Sequence, residues 1–514
     1  MIYQGECMSY KPQVLVILDG FGYSPDKTYN AIAQAKMPNY KSFISTYPHA
    51  FLKASEEAVG LLSGYIGNSE VGHQTIGSGQ ITKEAISVVH DAIKDHSFFK
   101  NKILIENLQK LHANKKTLHI MGLMSDGGVH SHINQLFAYI QTALDQGVES
   151  IVIHAFLDGR DVAPKSCHTY LTELEKRIRQ FSNVKIASIH GRYYAMDRDK
   201  NWERTKESYD VLTIKQAPQF DSWQGAIEYY YNQGITDEFI PPTKIAKHSI
   251  ITDHDGIIFY NVRADRARQL TEAFVVPKFV HFSVKSLKLT FFITPVGYGQ
   301  DIPTTRLYPL PKLQNTLKEV ISRAKKTIFS IAETEKYAHI TYFFSGRHEE
   351  AFEGETRVLI PSLELKQYAH YPQMRTPEIT QAVLQSLQNY ASDFYLINYA
   401  NADMVGHSGD LTATIKAVEC IDQQLHELYI QVVQKMNGTL YITSDHGNAE
   451  SKFDPKINQV RTSHTTNPVP FIMIKQGFEK TGGATLPLKQ LSDIAPFILQ
   501  QMNLPIPEEM KKTH

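Results

Sequence analysis

VLVILDG, residues 14 to 20, is a run of five aliphatic side chains closed by an acid and a glycine. It reads as a short apolar strand, and the chain repeats the device. TLHIMG (117–122), SIVIHAFL (150–157), VKIASI (184–189), GIIFYNV (256–262), DFYLINYA (393–400) and TLYITS (439–444) read the same way. Longer helical stretches lie between them, at 165–180, 203–213 and 412–436. Strands alternating with helices predict an α/β protein with a mostly parallel sheet. In such sheets ligands bind beyond the carboxyl ends of the strands, so the residues just after each apolar run carry the most information about function.

Three runs end in acids. VLVILDG ends at Asp19, YLINYANAD leads to Asp403, and LYITSDHG ends at Asp445 beside His446. His407 follows Asp403 by four residues, and RTSHTTNPVP supplies His464. One aspartate at a strand end is ordinarily a helix cap or turn residue. Three of them with histidines in reach suit Mn²⁺, Zn²⁺ or a similar ion, because Mg²⁺ and Ca²⁺ sites rarely use imidazole. With Ser69 added, the set suffices for two metals, an arrangement suited to phosphoryl transfer. Ser69 lies in YIGNSEVGHQTIGSG (65–79), a stretch of small and polar residues with His73 four positions on. Alone, that loop reads as a turn and helix N-cap; beside the aspartates, it reads as a metal-activated nucleophile.

The middle of the chain carries cations. His130 lies in SDGGVHSH, Arg160 and Asp161 in HAFLDGRDVAPKS, Arg192 and Arg198 in HGRYYAMDRDKNWERTK, and Arg263 and Arg266 in NVRADRARQL. Lys336 follows in AETEKYAH. Each arginine taken singly is a solvated charge with an acidic neighbour such as Asp197, Asp199 or Asp265. Collected after strand ends, they suit a phosphate and a carboxylate, which guanidinium groups bind in forked geometry. Asp161 then reads as a general acid or base, and His130 as a proton carrier or a phosphate donor.

The whole chain bounds these readings. Its 514 residues carry 53 Lys+Arg against 53 Asp+Glu, so no general affinity for nucleic acid or anionic membrane is implied. No apolar run reaches membrane-spanning length, and the N-terminal residues lack the pattern of a secretion signal. Met8 offers an alternative start. Cys7, Cys167 and Cys420 are far apart and odd in number, which supports neither a disulfide framework nor a cysteine metal site and fits a cytoplasmic setting. Prolines in PLPKLQNT (309–316) suggest one domain joint, and a second falls near SGQITKEAI (78–86).

In order along the chain, LDGFGY, NAIAQAKMPN, GNSEVGH, GGVHSH, HAFLDGRD, GRYYAMDRDKNWER, DRARQL, AETEKYAH, NYANADMVGH, SDHGNAE and SHTTNPVPF resemble the 2,3-bisphosphoglycerate-independent phosphoglycerate mutases of the alkaline phosphatase superfamily. The resemblance implies an alkaline-phosphatase-like domain with a central mostly parallel sheet (1–83 and 310–514), interrupted by an inserted α/β transferase domain (84–309). By motif, Asp403, His407 and His464 would ligate one Mn²⁺, and Asp19, Ser69, Asp445 and His446 the other. His130, Arg160, Asp161, Arg192, Arg198, Arg263, Arg266 and Lys336 would bind substrate. Ser69 would carry a phosphoserine while Asp161 manages the proton of the glycerate hydroxyl. The expected reaction interconverts 3- and 2-phosphoglycerate without bisphosphoglycerate. The expected partner is that small molecule alone, with no nucleic acid, no membrane and a monomeric chain. The family's usual proline before Asp265 is here Ala264, which leaves both flanking arginines in place.

Overall fold

The computed structural model describes residues 11–511, apart from 215–216, 246–249, 300, 310–311, 364–367, 456–457 and 480–484. Cys7, Met8 and the rest of the leader lie outside the described residues, as does residue 310 of the proline-rich joint. The chain divides into two compact units, one of Met1–Lys83 with Lys312–His514 and one of Glu84–Pro311.

The first unit is built on a seven-stranded sheet, in the order Glu355–Ile360, Ile328–Glu333, Phe394–Tyr399, Gln13–Leu18, Thr439–Thr443, Val469–Lys475, His49–Leu52. The first five run parallel, and Val469–Lys475 is antiparallel to both its neighbours. Gln13–Leu18 is central, which explains its uninterrupted apolar run. Val14, Val16 and Leu18 pack on one face with Ile379, Val383 and Leu425. Leu15 and Ile17 pack on the other with Val71, Ile76 and Ile498. Both faces are covered, so alternation has no selective value here.

The second unit holds an eight-stranded sheet, in the order Thr305–Arg306, Phe291–Thr294, Gly256–Phe259, Leu118–Leu123, Ile151–Leu157, Val184–Gly191, Thr243–Ile245, Gln219–Phe220. Among these, only Val184–Gly191 and Thr243–Ile245 pair antiparallel. The strand expected over 256–262 ends at Phe259, because Asn261 turns its Oδ1 to accept the Leu123 N–H at 2.9 Å. The expected helices form as Cys167–Ile178, Trp202–Thr213 and Leu411–Leu428, the last continuing into a π-helical stretch, Tyr429–Lys435. Cys167 is a buried and Cys420 a half-buried unbridged thiol. Among the described residues, no helix is long and apolar enough to cross a membrane.

Candidate functional site

In the first unit the acids gather where the parallel strands end. Asp19 follows Gln13–Leu18, Asp445 and His446 follow Thr439–Thr443, and Asp403 lies on the short helix Asn401–Gly406 after Phe394–Tyr399. Gly20, at φ +73, permits the approach, since a Cβ there would lie 2.7 Å from the Cβ of Asp403. Ser69 opens the helix Ser69–Ser78, but it is not the cap. Asn68 accepts the N–H groups of Glu70 (3.1 Å) and Val71 (3.2 Å) and leaves the Ser69 hydroxyl free for other partners. That hydroxyl donates to Asp19 Oδ1 at 3.0 Å and lies 3.0 Å from His446 Nε2. Gly72 lets this helix press on the strand end, where a Cβ would lie 2.5 Å from the Asp445 carbonyl oxygen.

Lys336 enters from the helix Thr334–Ala338, with Nζ 2.7 Å from each of Asp19 Oδ1, Ser69 Oγ and Asp403 Oδ2. Burial would raise both aspartates, but the Lys336 ammonium holds each well below the usual carboxylate range. Burial would likewise depress His446; Asp445, Asp19 and Asp403 overcome it and lift the imidazole to about 9.

The donor set fits divalent metal ions on three observations. Asp445 Oδ2 is fully buried yet accepts no well-formed hydrogen bond among the described residues. His407 Nδ1 faces the Thr462 carbonyl (2.7 Å) and His464 Nδ1 the Gly67 carbonyl (2.9 Å), so each must carry its hydrogen on Nδ1. Their Nε2 lone pairs then meet head-on at 3.1 Å, with Asp403 Oδ1 at 3.3 and 3.1 Å respectively. Three electron-rich atoms with no hydrogen between them call for a cation, and burial lowers the basicity of His464, so a proton fills the gap poorly. The groups Asp403–His446–His464 and Asp19–Asp445–His446 each keep their ligand atoms within 4.8 Å. His446 belongs to both, its Nε2 being 3.4 Å from Asp19 Oδ1 and 4.0 Å from Asp403 Oδ1.

In the second unit the cations gather in the same manner. Arg192, 2 % exposed, donates from Nη1 to Asp158 Oδ1 at 2.7 Å and Asp161 Oδ2 at 2.6 Å. Asp265 stands amid Arg198 (3.1 Å), Arg263 (3.4 Å) and the buried His130 (3.6 Å). Arg266 donates to the Met196 carbonyl at 3.2 Å. Burial, then repulsion from Arg198, Arg192 and Arg160, presses the Arg266 guanidinium down to about 10. An arginine so depressed marks a place short of negative charge, ready for an anion. Burial raises the Asp161 carboxyl despite Arg192 beside it, and it holds His130 well below its ordinary value and therefore neutral. Arg160 is turned toward Glu238 at 3.3 Å, with its side chain 54 % exposed.

Several polar residues of these clusters escape a reading of the sequence. His73, Asn398, Asn448 and Asp158 all lie inside the quoted motifs, but nothing in their type singles them out. Asn398 alone carries a signal, as the one amide within the apolar run FYLINY.

Fold and site together define an α/β enzyme built on a mostly parallel sheet, whose chain is interrupted by a second α/β unit. The family model described as "BPG-independent PGAM N-terminus" matches residues 89–300. The 2,3-bisphosphoglycerate-independent phosphoglycerate mutase of Legionella pneumophila (strain Corby) is 43 % identical over 501 residues, covering 97 % of this chain and 96 % of that one. That of Moorella thermoacetica is 44 % identical over 505 residues, covering 97 % of each chain. The structure of Leishmania mexicana phosphoglycerate mutase at low cobalt concentration superposes with a TM-score of 0.81 at 30 % identity, over 98 % of this chain and 97 % of that one. The chain belongs to the 2,3-bisphosphoglycerate-independent phosphoglycerate mutase family, whose reaction is the interconversion of phosphoglycerates.

Proposed function

We propose that the enzyme converts 3-phosphoglycerate to 2-phosphoglycerate, and back, through a phosphoserine on Ser69. The observation that carries this reading is the Ser69 hydroxyl, relieved of capping and held within 3.0 Å of Asp19 and His446 and 2.7 Å of Lys336. Asp403, His407 and His464 would hold one Mn²⁺, and Asp19, Ser69, Asp445 and His446 a second. Bound there, the cations supply positive charge to the transferring phosphoryl group and acidify the Ser69 hydroxyl.

The chain's own groups perform the rest. The Ser69 proton is lost to solvent as Oγ bonds to phosphorus and the bond to the glycerate 3-oxygen breaks. Lys336 offsets charge on the phosphoryl oxygens. The departing 3-oxygen takes a proton from Asp161, whose raised pKa keeps one available. Glycerate turns while Arg263, Arg266 and Arg160 hold its carboxylate. Asp161 then removes the 2-hydroxyl proton, the 2-oxygen attacks phosphorus, and the Ser69 oxygen regains its proton. The substrate-holding roles thus fall to the unit Glu84–Pro311 and the phosphoryl-handling roles to the other. A monomeric, cytoplasmic enzyme completes the reading, the unbridged Cys167 and Cys420 suiting a reducing compartment.

The decisive experiment supplies Mn²⁺ and 3-phosphoglycerate, without bisphosphoglycerate, and separates the products. The expected product is 2-phosphoglycerate with little inorganic phosphate, and acid quenching traps phosphate on Ser69. Glycerate and phosphate in equal yield would instead make the protein a phosphomonoesterase.

A further inference from the structure

Two buried amides stand behind the acids of the metal cluster, and the proposed phosphoryl-transfer steps use neither. Asn398 Nδ2 donates to Asp19 Oδ2 at 2.9 Å and faces His73 Nε2 at 3.0 Å. His73, fully buried, has Nδ1 2.9 Å from the Ser69 carbonyl and 3.0 Å from Asp445 Oδ2. The Ser69 carbonyl can only accept, which requires the hydrogen on Nδ1, so Nε2 carries a lone pair and receives the Asn398 amide. That fixes the amide orientation as well, since a flip would set two oxygens against each other at Asp19. One imidazole therefore registers the backbone of the nucleophile, touches Asp445 and, through Asn398, aims Asp19.

A second relay serves the other acid. Lys452, 1 % exposed, donates from Nζ to Asn448 Oδ1 at 2.5 Å, and Asn448 Nδ2 donates to Asp403 Oδ1 at 3.0 Å. A Cβ on Gly406 would lie 2.6 Å from Asn448 Oδ1, so the glycine lets the amide pack close to the helix that bears Asp403. Among the described contacts the two relays share no residue. Each turns one carboxylate so that its remaining electron pairs face the cation cluster.

We infer that His73 with Asn398, and Lys452 with Asn448, are positioning residues that set the two cation sites independently, the first pair serving Asp19–Asp445–His446 and the second serving Asp403–His407–His464. This rests on the two-metal reading proposed for the site. Partners that orient metal ligands typically carry about 10- to 100-fold in metal affinity.

The test is Mn²⁺ binding to metal-stripped full-length protein, followed by the electron paramagnetic resonance signal of the free aquo ion. Two backgrounds isolate the sites: His464→Ala keeps the Asp19 site and Asp445→Asn keeps the Asp403 site. In the His464→Ala background, His73→Leu or Asn398→Ala is expected to weaken the remaining site about 10- to 100-fold, whereas Lys452→Met and Asn448→Ala leave it unchanged. In the Asp445→Asn background the pattern reverses. His73→Gln, whose side-chain oxygen can accept the Asn398 amide, recovers part of the loss, which a variant that merely fills space does not. Circular dichroism of each metal-free variant shows that it is folded before titration. Equal weakening of both sites by either pair overturns the inference, as do wild-type affinities throughout. A wild-type protein that takes up no Mn²⁺ fails differently, because then the two-metal reading itself is wrong.

Discussion

At the scale of single residues, Ser69 and Asp161 carry separable predictions. Ser69→Ala removes the only atom proposed to bond phosphorus, so turnover falls by about 10⁴-fold or more, and no phosphate is trapped on the protein. Residual turnover within tenfold of wild type rules the phosphoserine out. Asp161 is tested by pH. Burial favours its neutral form, so the carboxylate appears only above the usual carboxylate range. As the group that must first give a proton to the departing glycerate oxygen, it makes kcat/KM fall as pH rises through that raised value. Arg192 pulls the other way, donating to Asp161 Oδ2 at 2.6 Å. Arg192→Gln therefore shifts this alkaline limb to higher pH, and Asp161→Asn removes it while lowering the rate by about 10²- to 10⁴-fold. The profiles are measured at saturating Mn²⁺ for each pH, and an unmoved limb in Arg192→Gln counts against Asp161 as the source of that proton. In the sequence Ser69 is marked by the small, polar stretch around it, and Asp161 by its place shortly after the strand Ile151–Leu157. The contact between Asn398 and His73 is not legible there, since it joins positions 325 residues apart.

At the scale of elements, legibility follows burial. Most strands that can be read from the sequence are mainly apolar runs buried along their length. Ile328–Glu333 is just as buried but is not among the strands read from the sequence; inside it the Ser330 hydroxyl donates to Glu355 Oε1 at 2.9 Å. Val469–Lys475 contains Pro470, which argues against a strand, yet it forms where the sheet turns antiparallel. Glu355–Ile360 is a half-exposed edge, fastened to the helix Leu317–Arg323 by a fully buried pair, Lys318 Nζ to Glu355 Oε1 at 2.7 Å. The partners fare unequally. Burial would raise Glu355, but Lys318, with Arg357 at 3.0 Å, holds it down to about 2, whereas burial presses Lys318 down to about 8 despite Glu355. The carboxylate has two cations and the ammonium one acid, which Arg357 shares and whose attraction it weakens. Glu355→Gln strands a buried ammonium and is expected to cost about 3–5 kcal/mol in urea unfolding. Lys318→Met costs less, because Glu355 keeps Arg357 and Ser330. Equal losses would show that Arg357 does not serve the carboxylate. The depressed pKa gives the sign with pH: this contribution is present above the ordinary value near 4.5 and is lost as pH falls toward about 2.

At the scale of the whole molecule, the two sheets present opposite charge at their carboxyl edges, acids in one unit and guanidinium groups in the other. That division is only partly legible in the sequence, because HAFLDGRD in the second unit carries Asp158 and Asp161 beside its one arginine. The cation-shaped gap between His407, His464 and Asp403 is not, since it depends on which ring nitrogen each loop carbonyl occupies. In the first unit Asp19, Asp403 and Asp445 crowd together with Lys336 and a strongly basic His446 as the opposing charges. Without metal, their repulsion is only partly offset, and Asp445 Oδ2 stays buried without a well-formed hydrogen bond among the described residues. Chelation should therefore abolish mutase activity and loosen the first unit locally. Mn²⁺ at about 100 times its Kd stabilises the folded form by about 2.7 kcal/mol, which hydrogen exchange reads as slower opening of Ser69–Ser78 and of the backbone around Asp445 and His446. A phosphoglycerate added without metal should instead slow exchange around Arg192 and Arg266, where the unmatched positive charge lies. If Mn²⁺ leaves the Ser69 helix exchanging at its metal-free rate, the acids are not a metal centre. The low pKa values of Asp19 and Asp403 then serve Lys336 alone, and the chemistry assigned to Ser69 loses its activating charge.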